Sequence, residues 1–223
     1  MIAKAELNRD AIVARALEIA DTEGLPAITI RRLSKEFGVT PMALYWHVEN
    51  KEELLAAMGD ALFADTAADV DASLPWTEQL RELERRLVEA LRAHPGAAEL
   101  AFERALLSEP GLRLAEAVFE LLRSAGFSVA DTAGIGAQAL RNAVALVTGE
   151  PGREFGGSDA ERDERLESKR AAMSALPPDQ YPRVREMAAA LVDCDDQDEY
   201  YRLGVDLYVA GVTQLASRTV ATA

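Results

Sequence analysis

Apolar residues along this chain recur at spacings of three and four, and no sustained stretch alternates apolar with polar. That periodicity is the strongest constraint on the fold. A helix returns to the same face every three or four residues, a strand every second one. Ala, Leu, Glu and Arg, all strong helix formers, dominate the composition. The segment Ala27-Ile28-Thr29-Ile30 has the make-up of a short strand, but no second segment offers it a partner, so that reading is rejected. The expected class is all-α.

Start and stop signals divide the chain into helices. The first spans about 8–23, with Ile12, Ala16, Ile19 and Ala20 on its apolar stripe and Gly24 as its stop. Thr29 caps a second helix that buries Ile30, Leu33 and Phe37. Gly38 and Val39 make a tight turn. Thr40 caps a third helix of about 41–48, with Pro41 at the first helical position, where its missing N–H costs nothing. Asn50, with Glu53 three residues on, starts a fourth helix expected to reach about Asp69. Further helices are expected near 76–93, 97–107, 112–124, 128–148, 160–175, 181–192 and 198–218. The breaks between them fall at His94-Pro95-Gly96, Pro110-Gly111, Gly126, the Gly-rich stretch 149–159 and Pro177-Pro178.

The net charge of −14 speaks against a nucleic-acid partner until it is divided along the chain. Residues 1–51 carry seven basic residues (Lys4, Arg9, Arg15, Arg31, Arg32, Lys35, Lys51) and seven acidic ones. The other 172 residues carry 17 basic and 31 acidic, which is the whole −14. An acidic body repels phosphate and a neutral head does not, so DNA must meet the first fifty residues if it is bound at all. The single Cys194 has no intrachain disulfide partner. No signal-peptide pattern and no apolar run near the ~18 residues of a membrane span are seen. A soluble, cytoplasmic protein without membrane contact is expected.

The second helix, the turn and the third helix have the proportions of a helix-turn-helix, whose second helix lies in the major groove. Leu44 and Val48, four apart, should face the other helices. Thr40, Pro41, Met42, Tyr45, Trp46 and His47 then lie on or near the outward face. Their hydroxyl, indole and imidazole tips can all donate to phosphate oxygens. The bland alternative is a helical hairpin with Tyr45 and Trp46 packed on the first or fourth helix. Lys51 adds a cation, and Arg31 at the start of the second helix can pair with a guanine edge.

The run from Gly38 to Lys51, and within it Leu44-Tyr45-Trp46-His47-Val48-Glu49-Asn50-Lys51, resembles the helix-turn-helix of the TetR family, nearest its tetracycline-repressor branch. The resemblance covers about residues 8–70 and continues more weakly through Trp76 and Gly126-Phe127-Ser128. It implies a DNA-binding head at 1–51, a connector helix at 52–70 and a ligand-binding, dimerising body at 71–223. It implies base reading by Arg31, Thr40, Pro41, Met42 and Ala43, with phosphate contacts from Tyr45, His47 and Lys51. Thr-Pro-Met-Ala stands at 40–43 where the tetracycline-repressor branch has Glu-Gln-Pro-Thr, so a different operator is implied.

Carried over the same way, polar pocket positions of that branch fall on Ala67, Leu83 and Val118, and an aromatic one on Leu87. Phe102, Leu140 and Asn142 are further lining candidates. The branch's metal-ligating His has no clear counterpart. An apolar or amphipathic effector without metal or cofactor is therefore expected, unless these leucines are plain core. Dimerisation in the family uses the long helix after Gly126 and the last helix. Small residues at near-helical spacing occur in both, among them Gly134, Gly136 and Ala143 in the first and Gly204 and Gly211 in the second. The alternative is burial of both helices within one subunit.

Other signals are discounted. Gly134-x-Gly136 follows no strand, and the acidic run from Asp193 through Cys194 and Asp195 to Glu199 lacks the glycine and spacing of a calcium loop. No nucleophile–base pattern is present. The expected function is a ligand-released, homodimeric regulator on palindromic double-stranded operator DNA. A repressor is preferred to an activator, and a helical enzyme or binding protein for a small apolar molecule, with no DNA role, is the runner-up.

Overall fold

The computed structural model describes residues 7–67, 70–151, 159–192 and 196–221. Eleven α-helices make up the described chain, with no strand among those residues: α1 (Arg9–Glu23), α2 (Ile30–Phe37), α3 (Pro41–Tyr45), α4 (Lys51–Ala61), α5 (Trp76–Ala93), α6 (Ala101–Arg104), α7 (Glu109–Ser124), α8 (Val129–Thr148), α9 (Asp159–Ser174), α10 (Pro182–Met187) and α11 (Gln197–Ala221). Two compact units result, one within 1–147 and 204–223 and the other within 148–203.

The N-terminal boundaries follow from capping. Asn8 accepts from the Ala11 N–H, Thr29 from Arg32, Thr40 from Ala43, Asn50 from Glu53 and Ser108 from Gly111, each satisfying a donor that the first helical turn leaves free. Glu53 also accepts from the Glu49 backbone N–H, closing a reciprocal cap that holds its carboxyl below the usual range. Gly38 ends α2 at φ 64°, a left-handed conformation that a side chain would strain.

Several expectations need correction. The third helix stops at Tyr45 rather than Val48. The chain tightens there, with the His47 and Val48 N–H groups both donating to the Leu44 carbonyl, and Val48 is still buried. The fourth helix stops at Ala61. Residues 62–66 continue as short-range turns, in which Leu62, Phe63 and Thr66 are buried and the Thr66 hydroxyl donates to the Phe63 carbonyl at 3.0 Å. Asp69, its expected end, lies outside the described residues. Of the three apolar residues expected inside the second helix, only Leu33 is buried. Ile30 and Phe37 are half-covered, and Ile28, from the rejected strand, fills the core in their place. The 97–107 helix reduces to one 3₁₀ turn and α6, and the 181–192 helix to α10. Asp193, Cys194 and Asp195 lie outside the described residues.

In the larger unit α1 packs on α2 and α4, α2 on α3, and α5 on α7. Ile12, Ile19, Leu33, Leu44, Leu54 and Met58 form the buried centre of the head. Trp76 meets Phe127 edge to face at 6.1 Å, joining the start of α5 to the turn before α8. Within the smaller unit α9 and α10 pack together and α9 is exposed along almost its whole length, as its charge pattern requires.

Candidate nucleic-acid interface and body cavity

Leu44 and Val48 anchor α3 to the core, and their spacing turns the other side chains of the segment outward. Met42 is 67%, Tyr45 47% and Trp46 85% exposed, so Trp46 does not pack on α1 or α4. Thr40, Pro41 and Arg31 are exposed, while Ala43, His47 and Lys51 are half-covered. Burying so little of an indole next to a methionine and a tyrosine leaves an apolar surface with polar tips at one end of the unit.

Charge pairing sorts the cations of the head. Arg9 pairs with Glu53 at 3.0 Å, Arg15 with Glu18 and Glu36, and Arg32 with Glu23 and Glu36. Arg31, Lys35 and Lys51 have no such pair among the described residues. The unpaired cations therefore lie on α2 and at the start of α4, flanking α3. Paired cations are half-neutralised, and unpaired ones keep their attraction for phosphate.

Behind the head, α5, α7, α8 and the α6 segment enclose a cavity of about 950 Å³. Leu80, Leu83 and Leu87 from α5, Leu114 and Val118 from α7, and Ala139 and Leu140 from α8 form its walls, with Phe63 behind α4. Phe102, Leu106 and Leu107 also border it and are 49%, 59% and 72% exposed, which places them at its mouth. Of the expected lining residues, Leu83, Leu87, Phe102, Val118 and Leu140 come together here. Ala67 does not border the cavity, because the chain leaves helical geometry before reaching it. Asn142 does not border it either, but it reaches the wall by donating to Glu84 at 3.0 Å.

Glu84 is the residue that the sequence reading missed. It borders the cavity, is 3% exposed, and burial pushes its carboxyl up to about 8, opposed only by the Asn142 hydrogen bond. In the charged string Glu82-Leu83-Glu84-Arg85-Arg86 it reads as solvated surface. The available signal was spacing: Glu84 is four residues from both Leu80 and Val88, on the stripe that α5 buries. Tyr208, whose hydroxyl donates to the Ile135 carbonyl at 3.0 Å, is also pushed up by burial and by the Glu84 charge.

Polar contacts tie the head and its connector helix to the body. Asp21 of α1 accepts from the Gly96 N–H at 2.9 Å, and its other oxygen lies 3.0 Å from His94 Nδ1. A Cβ on Gly96 would run into the Ala20 carbonyl, so this close approach admits only glycine. Asp60 of α4 pairs with Arg104 of α6 at 2.6 Å. His94 therefore serves the junction and does not border the cavity.

Sequence comparison accounts for both parts. The model of bacterial regulatory proteins of the tetR family matches residues 12–58, and the tetracyclin repressor-like C-terminal domain matches 72–216. The chain belongs to the TetR family. It is a transcriptional regulator with a helix-turn-helix DNA-binding head. It is 31% identical over 144 residues to an HTH-type transcriptional regulator of Saccharopolyspora erythraea, a match covering 65% of this chain and 61% of that protein. It is 29% identical to the class C tetracycline repressor protein of Escherichia coli, over 96% of this chain and 94% of that one. The crystal structure of ActR from Streptomyces coelicolor in complex with actinorhodin superposes with a TM-score of 0.73 and 30% identity, over 95% of this chain and 99% of that chain. No helix among the described residues is long and apolar enough to cross a membrane.

Proposed function

We propose that this regulator is a homodimeric repressor that binds a palindromic operator and leaves it when an apolar or amphipathic small molecule fills the body cavity. The observation that carries the reading is an outward-facing α3 and a largely apolar cavity in one compact unit, joined through α4. Arg31, Thr40, Pro41, Met42 and Ala43 read base edges. Tyr45, Trp46, His47 and Lys51 hold phosphates.

The second subunit docks on α8 and the last helix. Leu207 is 66% and Leu215 45% exposed, and both border a groove with Ala130, Gly134 and Ile135 of α8. Apolar surface of that kind asks for cover. Two heads on one operator gain by effective concentration, and displacing them by a few ångströms removes the gain. The α6 segment borders the cavity and is bolted to α4 by Arg104 and Asp60, so a ligand that moves α6 moves the head. The protein acts in the cytoplasm and turns over no substrate.

A test is gel-shift titration of the purified protein against the DNA upstream of its own coding sequence, followed by addition of apolar compounds. Salt-dependent, sequence-selective binding that one class of compound reverses is the expected result. Binding to every duplex alike, or no reversal by any compound that occupies the cavity, contradicts the reading.

A further inference from the structure

The cavity wall contains one fully buried ionisable group, Glu84, set among Leu80, Leu83 and Leu87. Its two oxygens are not equivalent. Oε1 accepts from Asn142 Nδ2 at 3.0 Å, whereas Oε2 has no partner among the described residues. No Lys, Arg or His pairs with the carboxyl among those residues either. A buried carboxylate without a cation is far costlier than the neutral acid. The Asn142 amide N–H needs an acceptor, which assigns the carbonyl character to Oε1 and leaves the proton on Oε2. An O–H that meets no acceptor is costly; Oε2 is not one of the sealed polar atoms left without a partner, and the cavity that Glu84 borders is a space from which an acceptor can reach it.

We propose that Glu84 is the polar anchor of the effector site, a protonated acid that donates from Oε2 to an acceptor oxygen on an otherwise apolar effector, such as a conjugated ketone. The burial-raised value of about 8 keeps the acid protonated at neutral pH. This inference rests on reading the cavity as the effector site. Asn142 acts through Glu84 as a positioning residue. A ligand ammonium group would require the opposite state, an ionised Glu84, and the two chemistries respond differently to the same substitution. Glu84→Gln keeps a donor toward the cavity and an acceptor toward Asn142 but cannot carry charge. Glu84→Leu removes both polar functions while leaving the wall apolar.

The test is calorimetric titration of the full-length protein with three probes of nearly one shape: fluorenone, fluorene and 9-aminofluorene. The carbonyl stretch of bound fluorenone is recorded by infrared difference spectroscopy. The expected result is that fluorenone binds about tenfold tighter than fluorene. Glu84→Gln keeps that preference and Glu84→Leu abolishes it. The carbonyl stretch shifts to lower frequency in the wild type and the Gln variant but not in the Leu variant, a readout that loss of packing alone would not move. Equal binding of ketone and hydrocarbon in all three proteins overturns the role of Glu84 and leaves the cavity as a ligand site. Preference for the amine, lost in Glu84→Gln, overturns the neutral-donor assignment. Failure of all three probes to bind overturns both this inference and the effector-site reading beneath it.

Discussion

Replacing Glu84 by Gln should stabilise the protein by about 3 kcal/mol at pH 7 and by well under about 1 kcal/mol near pH 4.5. Burial raises this carboxyl from its ordinary 4.5 to about 8. Between those values the unfolded chain has released the proton and the folded chain still holds it. Folding then takes up a proton, and stability falls as pH rises, by about 1.4 kcal/mol per unit. From 4.5 to 7 is 2.5 units, which gives the figure of about 3 kcal/mol. Gln has the same shape, can still accept from Asn142, and is exempt from the penalty because it cannot ionise. The assay is urea unfolding of wild type and variant, followed by circular dichroism at the two pH values and at one fixed protein concentration, since the stability of the proposed dimer would depend on concentration. A stability difference that does not change with pH would show that Glu84 is already ionised in the folded protein. A variant less stable at pH 7 would show that the charge itself holds α5 to α8. Either result refutes the reasoning.

Other consequences follow from the head, the junction and the exposed helical face. Lys51→Ala should weaken binding to all duplexes and lower the salt slope by about 1, while Arg31→Ala should cost about 1–3 kcal/mol on the preferred sequence alone, both measured by fluorescence anisotropy against salt. Gly96→Ala should destabilise the protein by about 1–3 kcal/mol in urea unfolding, because the added methyl group meets the Ala20 carbonyl. An unchanged midpoint would show that the junction can spread. Leu207→Lys should yield a monomer by analytical ultracentrifugation and lower operator affinity by about a hundredfold, with the circular dichroism spectrum unchanged.

The head was legible in the sequence because local rules decide it. Thr29, Thr40 and Asn50 each cap the helix assigned to them, and Gly38 and Pro41 have conformational preferences that match their positions. The exposure of Trp46 was not decidable, since the same helical spacing fits packing on α1 or α4. Helix lengths were over-read wherever tertiary burial overrides propensity. After Ala61 the chain abandons α-helical geometry so that Leu62, Phe63 and Thr66 can all face inward, and no local signal marks that point. Leu83, Leu87 and Val118, carried over from the family resemblance, border the cavity, as does Leu140, while Ala67, carried over in the same way, does not. The Asp21–Gly96 and Asp60–Arg104 links could not be read, because each depends on a partner distant in sequence, whereas Glu84 carried a local signal in its place on the α5 stripe that the charges around it masked.

The most direct test of the DNA-binding account is selection of bound duplexes from a randomised pool, followed by hydroxyl-radical footprinting of the winner. The account predicts an inverted repeat, protected in two patches on one face of the duplex and centred about one helical turn or a simple multiple apart. It also predicts that substituting Met42 or Ala43 changes the selected half-site. Recovery of no consensus, or of a single unrepeated site occupied by one subunit, would contradict it.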